Sequence, residues 1–226
     1  MGLGTKAADA IRRRRLGNYT LRLGLLNANG MKKKGSGYRY AVRIIGGRWR
    51  GRRLVIPPGT DVRPTPDRVR ETLFNWLTGS LTGARCLDLF AGTGALGLEA
   101  LSRGARDAWL VERDPVLAEA LRGHVKVLEA DARVLQSDAS ALLKRRAGER
   151  FDIVFLDAPY RLPLAPIMSL LSPWLSPEAA IYVERSHRPG VTDPFEAEAA
   201  ALPGARTWKL GRAGEVVFGL LRVQRT

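Results

Sequence analysis

Four consecutive residues, Asp157, Ala158, Pro159 and Tyr160, combine an acid, a rigid turn and an aromatic ring directly after the apolar run Phe151–Leu156. The Asp157 carboxylate and the Ala158 carbonyl are acceptors that can hold the two hydrogens of a planar amino group. An amine held in this way turns its lone pair toward an incoming methyl group, while Tyr160 stacks on the ring that carries it. The pattern favours methyl transfer to an exocyclic amine. A strand-ending acid followed by a proline turn is the alternative, purely structural interpretation.

A glycine-rich turn lies further upstream, in the segment Asp88–Gly97. The segment leaves one predicted strand and enters a predicted helix, and its glycines let the backbone approach a ligand closely. Glu112 ends the next predicted strand 18 residues after Gly94, where an acid can accept hydrogen bonds from both ribose hydroxyls of a nucleotide-like cofactor. A tight turn without any ligand is the alternative. The candidate cofactor contacts in this segment are Asp88, Phe90, Ala91, Gly92 and Gly94.

Two further acids favour S-adenosylmethionine over NAD as the cofactor. Asp88 precedes the first glycine of the turn, where a carboxylate can interact with the cofactor's ammonium group or the water around it. Asp138 follows the third predicted strand, where it can accept from the adenine amino group while the N–H of Ala139 meets a ring nitrogen. An N-cap of the next helix is the alternative for Asp138. Asp157, at the end of the fourth strand, is counted as a contact of both the amine and the cofactor.

An alternation of strands and helices is needed to position these residues. Strands are predicted at Arg85–Phe90, Ala108–Glu112, Arg133–Gln136, Phe151–Leu156 and Ala180–Glu184, and helices at Ala95–Ser102, Val116–Leu128, Ala139–Arg145 and Leu164–Leu171. This alternation predicts a parallel sheet with helices on both faces. Near the end, Thr207–Leu210 and Val216–Val223 flank Gly211–Gly214, which predicts an antiparallel hairpin at one edge.

The segment before the sheet predicts a small hairpin and a linking helix. Tyr40–Ile56 alternates β-branched and aromatic residues with arginines and is broken by glycines, and Pro57–Gly59 ends it. The helix is predicted to open at Thr65–Pro66–Asp67, with Thr65 as its cap and Pro66 in its first turn, and to stop at Gly79.

The formal net charge of +15 comes entirely from the first 70 residues, which contain 18 Lys and Arg against 3 Asp and Glu. Residues 71–226 contain 19 of each kind. Because the arginines of the hairpin alternate with apolar residues, a folded cationic surface for nucleic acid is favoured over a solvated arm. The candidate contacts are Arg43, Arg48, Trp49, Arg50, Arg52, Arg63 and Arg68. Local core packing is an equal alternative for Trp49.

The composition excludes several other classes of protein. No apolar run approaches the roughly 18 residues that a membrane helix needs. The single cysteine, Cys86, lies in an apolar run and is predicted to be a buried hydrophobe. With two histidines and one cysteine, no zinc-ligand spacing exists and no metal is expected. Residues 1–37 are predicted to be a disordered basic extension; they loosely resemble an organellar transit peptide, and Met31 is an alternative start.

Three blocks of the sequence closely resemble bacterial 16S ribosomal RNA guanine-N2 methyltransferases of the RsmD type. The blocks are residues 43–52 (RIIGGRWRGR), 63–77 (RPTPDRVRETLFNWL) and 87–105 (LDLFAGTGALGLEALSRGA). The first two are specific to that family, whereas the glycine motif is shared by all class I methyltransferases. The likeness extends over about residues 40–225.

The resemblance implies a Rossmann-like class I methyltransferase fold, with a mostly parallel seven-stranded sheet, a C-terminal antiparallel hairpin and an S-adenosylmethionine cofactor. Residues 38–80 would be the RNA-contacting hairpin with its linking helix, and residues 81–226 the methyltransferase domain. The implied substrate is the exocyclic N2 of a guanine in 16S ribosomal RNA, guanine-966 in the family, within a small-subunit assembly intermediate. The implied enzyme is a cytoplasmic monomer without membrane contact.

One position departs from the family, which normally has proline where this chain has Ala158. Alanine still supplies the backbone carbonyl but not the ring that stiffens the turn, so activity is expected to be retained and to fall if the turn relaxes. Adenine N6 and the amide of a protein glutamine are alternative acceptors with the same planar geometry. An NAD-dependent oxidoreductase and a non-catalytic RNA-binding module are alternatives from other classes.

Overall fold

The computed structural model describes residues 41–60, 65–187, 190 and 194–224. The sequence-based predictions for the basic extension 1–37, the first residues of the hairpin and Arg63 therefore fall outside the described residues.

The predicted basic hairpin is present. Strands β1 (Ala41–Arg43) and β2 (Arg53–Val55) pair in antiparallel register, and a turn of 3₁₀-helix at Gly47–Trp49 lies between them. The alternating apolar side chains face inward and are buried, namely Val42, Ile44, Leu54 and Ile56. The exposed face of the hairpin consequently carries its arginines.

A seven-stranded sheet forms the centre of the protein. Its strands are β3 (Arg85–Asp88), β4 (Asp107–Glu112), β5 (Ala132–Gln136), β6 (Phe151–Leu156), β7 (Leu175–Ser186), β8 (Ala205–Ala213) and β9 (Val216–Val223). They lie in the order β5-β4-β3-β6-β7-β9-β8. Strands β3 to β7 pair in parallel, whereas β9 pairs antiparallel with both β7 and β8. The strand order reverses between β3 and β6, the point at which open α/β sheets bind ligands.

Helices cover both faces of this sheet. They are α1 (Asp67–Leu81), α2 (Ala95–Ser102), α3 (Pro115–Leu128), α4 (Ala139–Leu143), α5 (Ala165–Met168) and α6 (Glu196–Ala200). One face packs against α1, α2, α3 and the apolar side of the hairpin in a single core. The other face packs against α4, α5 and the segments on either side of α6. The predicted fold class is confirmed, and Cys86 is fully buried, as predicted.

Two buried side chains anchor the hairpin to the sheet domain. The carboxylate of Glu99, on α2, accepts hydrogen bonds from the backbone N–H groups of Ile45 and Gly46 at 2.7 and 2.8 Å. The Nε2 atom of His124, on α3, accepts from the Val55 N–H at 3.1 Å. Its Nδ1 lies 3.3 Å from the carbonyl oxygen of Thr93 in the glycine-rich turn. Because Nε2 must accept, the ring is neutral and Nδ1 donates to Thr93, and burial lowers the pKa of His124 to about 4.

Several predicted boundaries were wrong by a few residues. Strand β3 ends at Asp88 rather than Phe90, and helix α1 continues past Gly79 to Leu81. The N-cap of α1 is Pro66, which makes no side-chain capping bond. Thr65 does not cap the helix because its hydroxyl donates instead to Asp157.

The later elements also differ from the prediction. Helix α5 is shorter than the predicted Leu164–Leu171, whereas strands β7 and β8 are longer than predicted. Helix α6 was not predicted. Strand β8 includes Gly211, so the turn of the last hairpin lies at Gly214 rather than across Gly211–Gly214. Antiparallel pairing with β9 supplies the hydrogen bonds that extend β8 beyond its own apolar residues.

The close packing of the hairpin on helix α2 gives a testable consequence. Gly47 has φ +73°, and a Cβ atom there would lie 1.8 Å from the Ser102 carbonyl oxygen. We expect Gly47→Ala to separate the hairpin from α2 and to lower the free energy of unfolding by about 1–3 kcal/mol beyond the cost of the left-handed backbone. Gly51→Ala is a matched control, because φ is +84° there and nothing lies within 4 Å of its Cβ position. Urea denaturation of both variants checks this; equal losses of stability would show that the hairpin is not closely packed against α2.

Candidate active site

The candidate catalytic and cofactor residues converge on the carboxyl-terminal edge of the sheet. Asp88 ends β3, Glu112 ends β4, and Asp157 directly follows β6. Glu184 lies near the end of the neighbouring strand β7. Parallel strands bring their carboxyl ends to one edge, so acids separated by up to about a hundred residues of sequence meet there.

The glycine-rich turn is fixed in place by Glu112. The Glu112 carboxylate accepts from the N–H of Gly92 at 2.9 Å and from the N–H of Asp114 at 2.8 Å. Gly94 has φ +82°, and a Cβ atom there would lie 2.5 Å from Leu121. The turn therefore requires glycine at this position and passes directly beside the candidate ribose-binding acid.

Asp88 presents an unsatisfied buried oxygen next to this turn. Its side chain is 1% exposed, and its Oδ2 accepts from the N–H of Gly97 at 3.1 Å. Its Oδ1 has no hydrogen-bond partner among the described residues. Burial raises the pKa of Asp88 to about 7 with help from the charges of Asp157 and Glu112, whereas the backbone N–H groups of Gly97 and Phe90 oppose the rise. A cationic ligand group would satisfy Oδ1 and reverse this electrostatic cost.

Asp157 faces the same space from the adjacent strand. Its Oδ2 accepts a 2.5 Å hydrogen bond from the Thr65 hydroxyl, and among the described residues no side chain or backbone group donates to its Oδ1. Burial raises the pKa of Asp157 to about 7 with help from the charge of Glu184, whereas the Thr65 hydroxyl and Arg185 oppose the rise. Asp157 is thus an anchored acceptor with one oxygen available for a ligand.

The remaining residues of the motif place an aromatic ring beside this acceptor. Ala158 is buried and Pro159 exposed, and the ring of Tyr160 is 42% exposed. The Tyr160 hydroxyl donates to Glu184 at 2.8 Å, and the Tyr182 hydroxyl donates to the other oxygen of the same carboxylate at 2.8 Å. Burial raises the pKa of Tyr182 well above 10, so its hydroxyl remains a donor at neutral pH.

The other candidate cofactor residues border the same edge with differing exposure. Asp138 is exposed and caps α4, since it accepts from the Ala141 N–H at 3.1 Å. The structure thus shows Asp138 as the N-cap of α4, its alternative interpretation. Its second carboxylate oxygen remains available for a ligand. Ala139 and Ala91 are buried, and Phe90 is partly buried against the core under α4. The adenine contacts of this group stay a prediction.

The described candidate RNA contacts lie on the exposed surface of the hairpin and at the start of α1, apart from Trp49. The exposed arginines are Arg43, Arg48, Arg50, Arg52 and Arg68. Arg43 pairs with Asp67 at 3.3 Å, and the guanidinium of Arg48 lies 4.1 Å from the ring centre of Trp49. Trp49 is partly buried against the core, which favours local packing for this residue.

Sequence reasoning missed three residues of the site: Thr65, Tyr182 and Glu184. Thr65 had a more common explanation as a helix cap, and its hydrogen bond with Asp157 spans 92 positions. Glu184 was visible only as the end of a predicted strand. The only signal in the sequence was an acid at the end of a predicted strand. The sequence did not show that this strand lies beside the motif in the sheet.

Membrane-spanning helices and metal clusters are not seen in the described part of the chain. Within the described residues, no helix is both long and apolar enough to cross a membrane. In the same residues, no group of three or more His, Cys, Asp or Glu side chains is arranged to hold a metal ion.

Similar proteins were found by sequence. A family model described as "Conserved hypothetical protein 95" matches residues 42–201. The ribosomal RNA small subunit methyltransferase D of Escherichia coli K12 is 47% identical over 197 residues, which cover 84% of this chain and 94% of that protein. The protein of the same description from Haemophilus influenzae is 45% identical over 150 residues, which cover 63% of this chain and 78% of that protein.

Similar proteins were also found by structure. A solved Escherichia coli protein with 40% identity covers 83% of this chain and 100% of its own length, with a TM-score of 0.71. The Thermus thermophilus 16S rRNA N2 G1207 methyltransferase, solved with AdoMet and guanosine, has 22% identity and a TM-score of 0.62, covering 87% of this chain and 53% of its own. This second likeness concerns the fold alone. Since the family model spans most of the chain and a nearly full-length relative shares almost half of its residues, the chain belongs to the RsmD-type ribosomal RNA methyltransferase family.

Proposed function

We propose that the protein transfers a methyl group from S-adenosylmethionine to the exocyclic N2 of a guanine in 16S ribosomal RNA. The proposal rests on the juxtaposition of a buried acid, Asp88, and a partly buried one, Asp157, at the strand-order reversal. Asp88 offers a buried, unpartnered Oδ1 on β3, and Asp157, directly after β6, uses Oδ2 for its bond with Thr65, so that its Oδ1 can face a ligand. Their charges interact, so a cationic methyl donor and a hydrogen-donating acceptor are accommodated side by side.

The cofactor side fits S-adenosylmethionine. The buried Oδ1 of Asp88 suits its ammonium group, the strand-end acid Glu112 suits its ribose hydroxyls, and Asp138 with Ala139 suits its adenine. The cofactor supplies an electrophilic methyl group on a sulfonium centre. NAD carries no ammonium group to satisfy Asp88, so the oxidoreductase alternative leaves this buried oxygen unexplained.

The acceptor side favours guanine over adenine. The ionised Asp157 carboxylate only accepts hydrogen bonds, and guanine places two donors, N1–H and N2–H, next to each other. Adenine places the acceptor N1 beside its amino group, so the lone pair of N1 would face the lone pairs of the Asp157 carboxylate. Asp157 and the Ala158 carbonyl hold the amine and Tyr160 stacks on the base, so the protein contributes mainly alignment for the in-line displacement.

The exposed arginines favour RNA over a protein glutamine as the substrate. They cover the outer face of a hairpin that is anchored to the sheet domain, where they can contact several phosphates. A guanine reaches the site only if its N2 edge is unpaired, a condition met more readily in an assembly intermediate than in a finished subunit. We accordingly propose a cytoplasmic, monomeric enzyme that acts during subunit assembly.

The proposed role of Asp157 as acceptor can be tested by removing its side chain. Asp157→Ala should lower the methylation rate at least about 100-fold, because the amine loses the group that aligns it. Because Asp157 serves mainly the acceptor amine, the affinity for S-adenosylhomocysteine, measured by calorimetry, should change less than about threefold, well below the effect of a lost charged hydrogen bond. Asp131→Ala, at an exposed acid directly before the amino end of β5, is the matched control. Methylation within tenfold of wild type would exclude Asp157 as the acceptor.

The proposed contact between Glu112 and the ribose can be tested in the same way. Glu112→Ala should weaken S-adenosylhomocysteine binding by about 1–3 kcal/mol, since it removes charge-assisted bonds to the ligand and also releases Gly92. Glu119→Ala, at a surface acid of α3 paired with Arg122, controls for the loss of one negative charge. Unchanged affinity in calorimetry would place the cofactor elsewhere.

The proposed RNA-binding surface can be tested by neutralising its arginines. Changing Arg43, Arg48 and Arg50 together to Gln should weaken RNA binding and reduce the slope of log affinity against log salt, by up to about 0.7–0.9 for each phosphate that the protein no longer neutralises. Changing Arg145, Arg146 and Arg150 to Gln removes the same charge near the amino end of β6, away from the site, and should have little effect. Similar slopes for the two triple variants would mean that the hairpin contributes only general charge.

A further inference from the structure

Two hydrogen bonds hold the acceptor motif from outside, one on each side of Ala158–Pro159. Thr65 donates to Asp157 before this pair, and Tyr160 donates to Glu184 after it. We propose that Thr65 and Glu184 are positioning residues for methyl transfer, with Thr65 orienting the Asp157 carboxylate and Glu184 orienting the Tyr160 ring. The inference rests on the proposed function, because it assigns the amine to Asp157 and the base to Tyr160.

Thr65 meets the requirements of a positioning residue. It is 6% exposed and precedes α1 by two positions, where its hydroxyl makes a 2.5 Å bond with Oδ2 of Asp157 rather than capping the helix. A carboxylate with one oxygen held in this way cannot rotate about its last torsion without breaking a short, charge-assisted bond. The bond consequently fixes which oxygen of Asp157, Oδ1, faces the incoming amine.

Glu184 is placed to fix the ring. The residue is 4% exposed, and each of its carboxylate oxygens accepts a tyrosine hydroxyl at 2.8 Å. Tyr182 is fully buried and packs edge-on against Phe155 with ring centres 6.4 Å apart, so it anchors the carboxylate from the core side. Tyr160 is thereby held at its hydroxyl end while its ring stays exposed, which suits a surface on which a base stacks.

Thr65 and Glu184 have opposite electrostatic effects on Asp157. The groups that face Asp157 are Thr65 before α1, Glu184 and Arg185 on β7, and Asp88 on β3. The negative charge of Glu184 raises the pKa of Asp157, whereas the Thr65 hydroxyl lowers it. If the ionised form of Asp157 accepts the amine, kcat rises with pH through the pKa of Asp157. Loss of the Thr65 hydroxyl should then move this rise to higher pH, and loss of the Glu184 charge should move it to lower pH.

The experiment measures kcat for methylation of 16S ribosomal RNA from pH 5.5 to 9. S-adenosylmethionine is kept saturating, so that its ammonium group already balances the charge of Asp88. The variants are Thr65→Val, Thr65→Ser, Glu184→Gln, Glu184→Leu and Tyr160→Phe, with Thr78→Val on the far end of α1 as the matched control. We expect Thr65→Val and Glu184→Gln to lower the plateau of kcat about tenfold and to shift its acid limb in opposite directions by about half a pH unit or more. Thr65→Ser, which keeps the hydroxyl, should restore most of the rate.

A double variant tests whether Glu184 acts through the ring. Glu184→Leu combined with Tyr160→Phe should be no slower than the slower of these two single variants, because each single change already removes the hydrogen bond between the two side chains. S-adenosylhomocysteine affinity should stay within about twofold in every variant, well below the effect of a lost charged hydrogen bond, and this measurement also reports correct folding.

Three results would overturn the proposal: acid limbs that stay in place or move together, a Thr65→Ser variant as slow as Thr65→Val, or additive losses in the double variant. A variant that no longer binds S-adenosylhomocysteine would likewise count against it, because the hydrogen bond would then be structural rather than positional. Absence of guanine N2 methylation by the wild-type protein would instead refute the proposed function.

Discussion

The buried carboxylate of Glu99 is the interaction on which the placement of the other functional parts depends. Two backbone N–H groups of the hairpin donate to it, as does the guanidinium of Arg103 at 2.7 Å, and the charge of the buried Arg70 lies 3.8 Å away. A buried charge is tolerated only when it is satisfied in this way. Since α2 begins in the glycine-rich turn, one helix carries that turn at its start and holds the cationic hairpin farther along.

A second constraint is the crowding of like charges at the sheet edge. Asp88 and Asp157 both have a pKa of about 7, well above the ordinary value of 3.8. Without a ligand, the two carboxyl groups are therefore not both fully ionised at neutral pH. By linkage, these raised pKa values favour the folded state at acidic pH and lose that contribution as pH rises toward 7. The edge thus gives up stability at neutral pH to present two acceptors, a common trade-off at functional sites.

The fold class, the order of the elements and the acids at the strand ends were predictable from the sequence. Strand and helix periodicity, glycine turns and the Asp157–Tyr160 motif are local signals, and local signals determine local structure. Side-chain partners across long separations were not predictable: the Thr65 hydroxyl had two acceptable uses, and only the placement of α1 beside β6 decides between them. The same is true of Glu99, whose position on a predicted helix gave no sign that it is buried under the hairpin. The resemblance to a known family supplied the substrate expectation that periodicity could not.

The hairpin's anchoring has a consequence for how such proteins can be altered. Its backbone donors are matched by Glu99, Ser102 and His124, and its apolar side chains belong to the same core as the sheet. It is therefore not an interchangeable cassette: grafting it onto another sheet would leave its N–H groups unsatisfied unless these three partners were grafted with it. Under the proposed function, the affinity for RNA would be changed more readily by substituting the exposed arginines, which face away from that core, than by exchanging the hairpin.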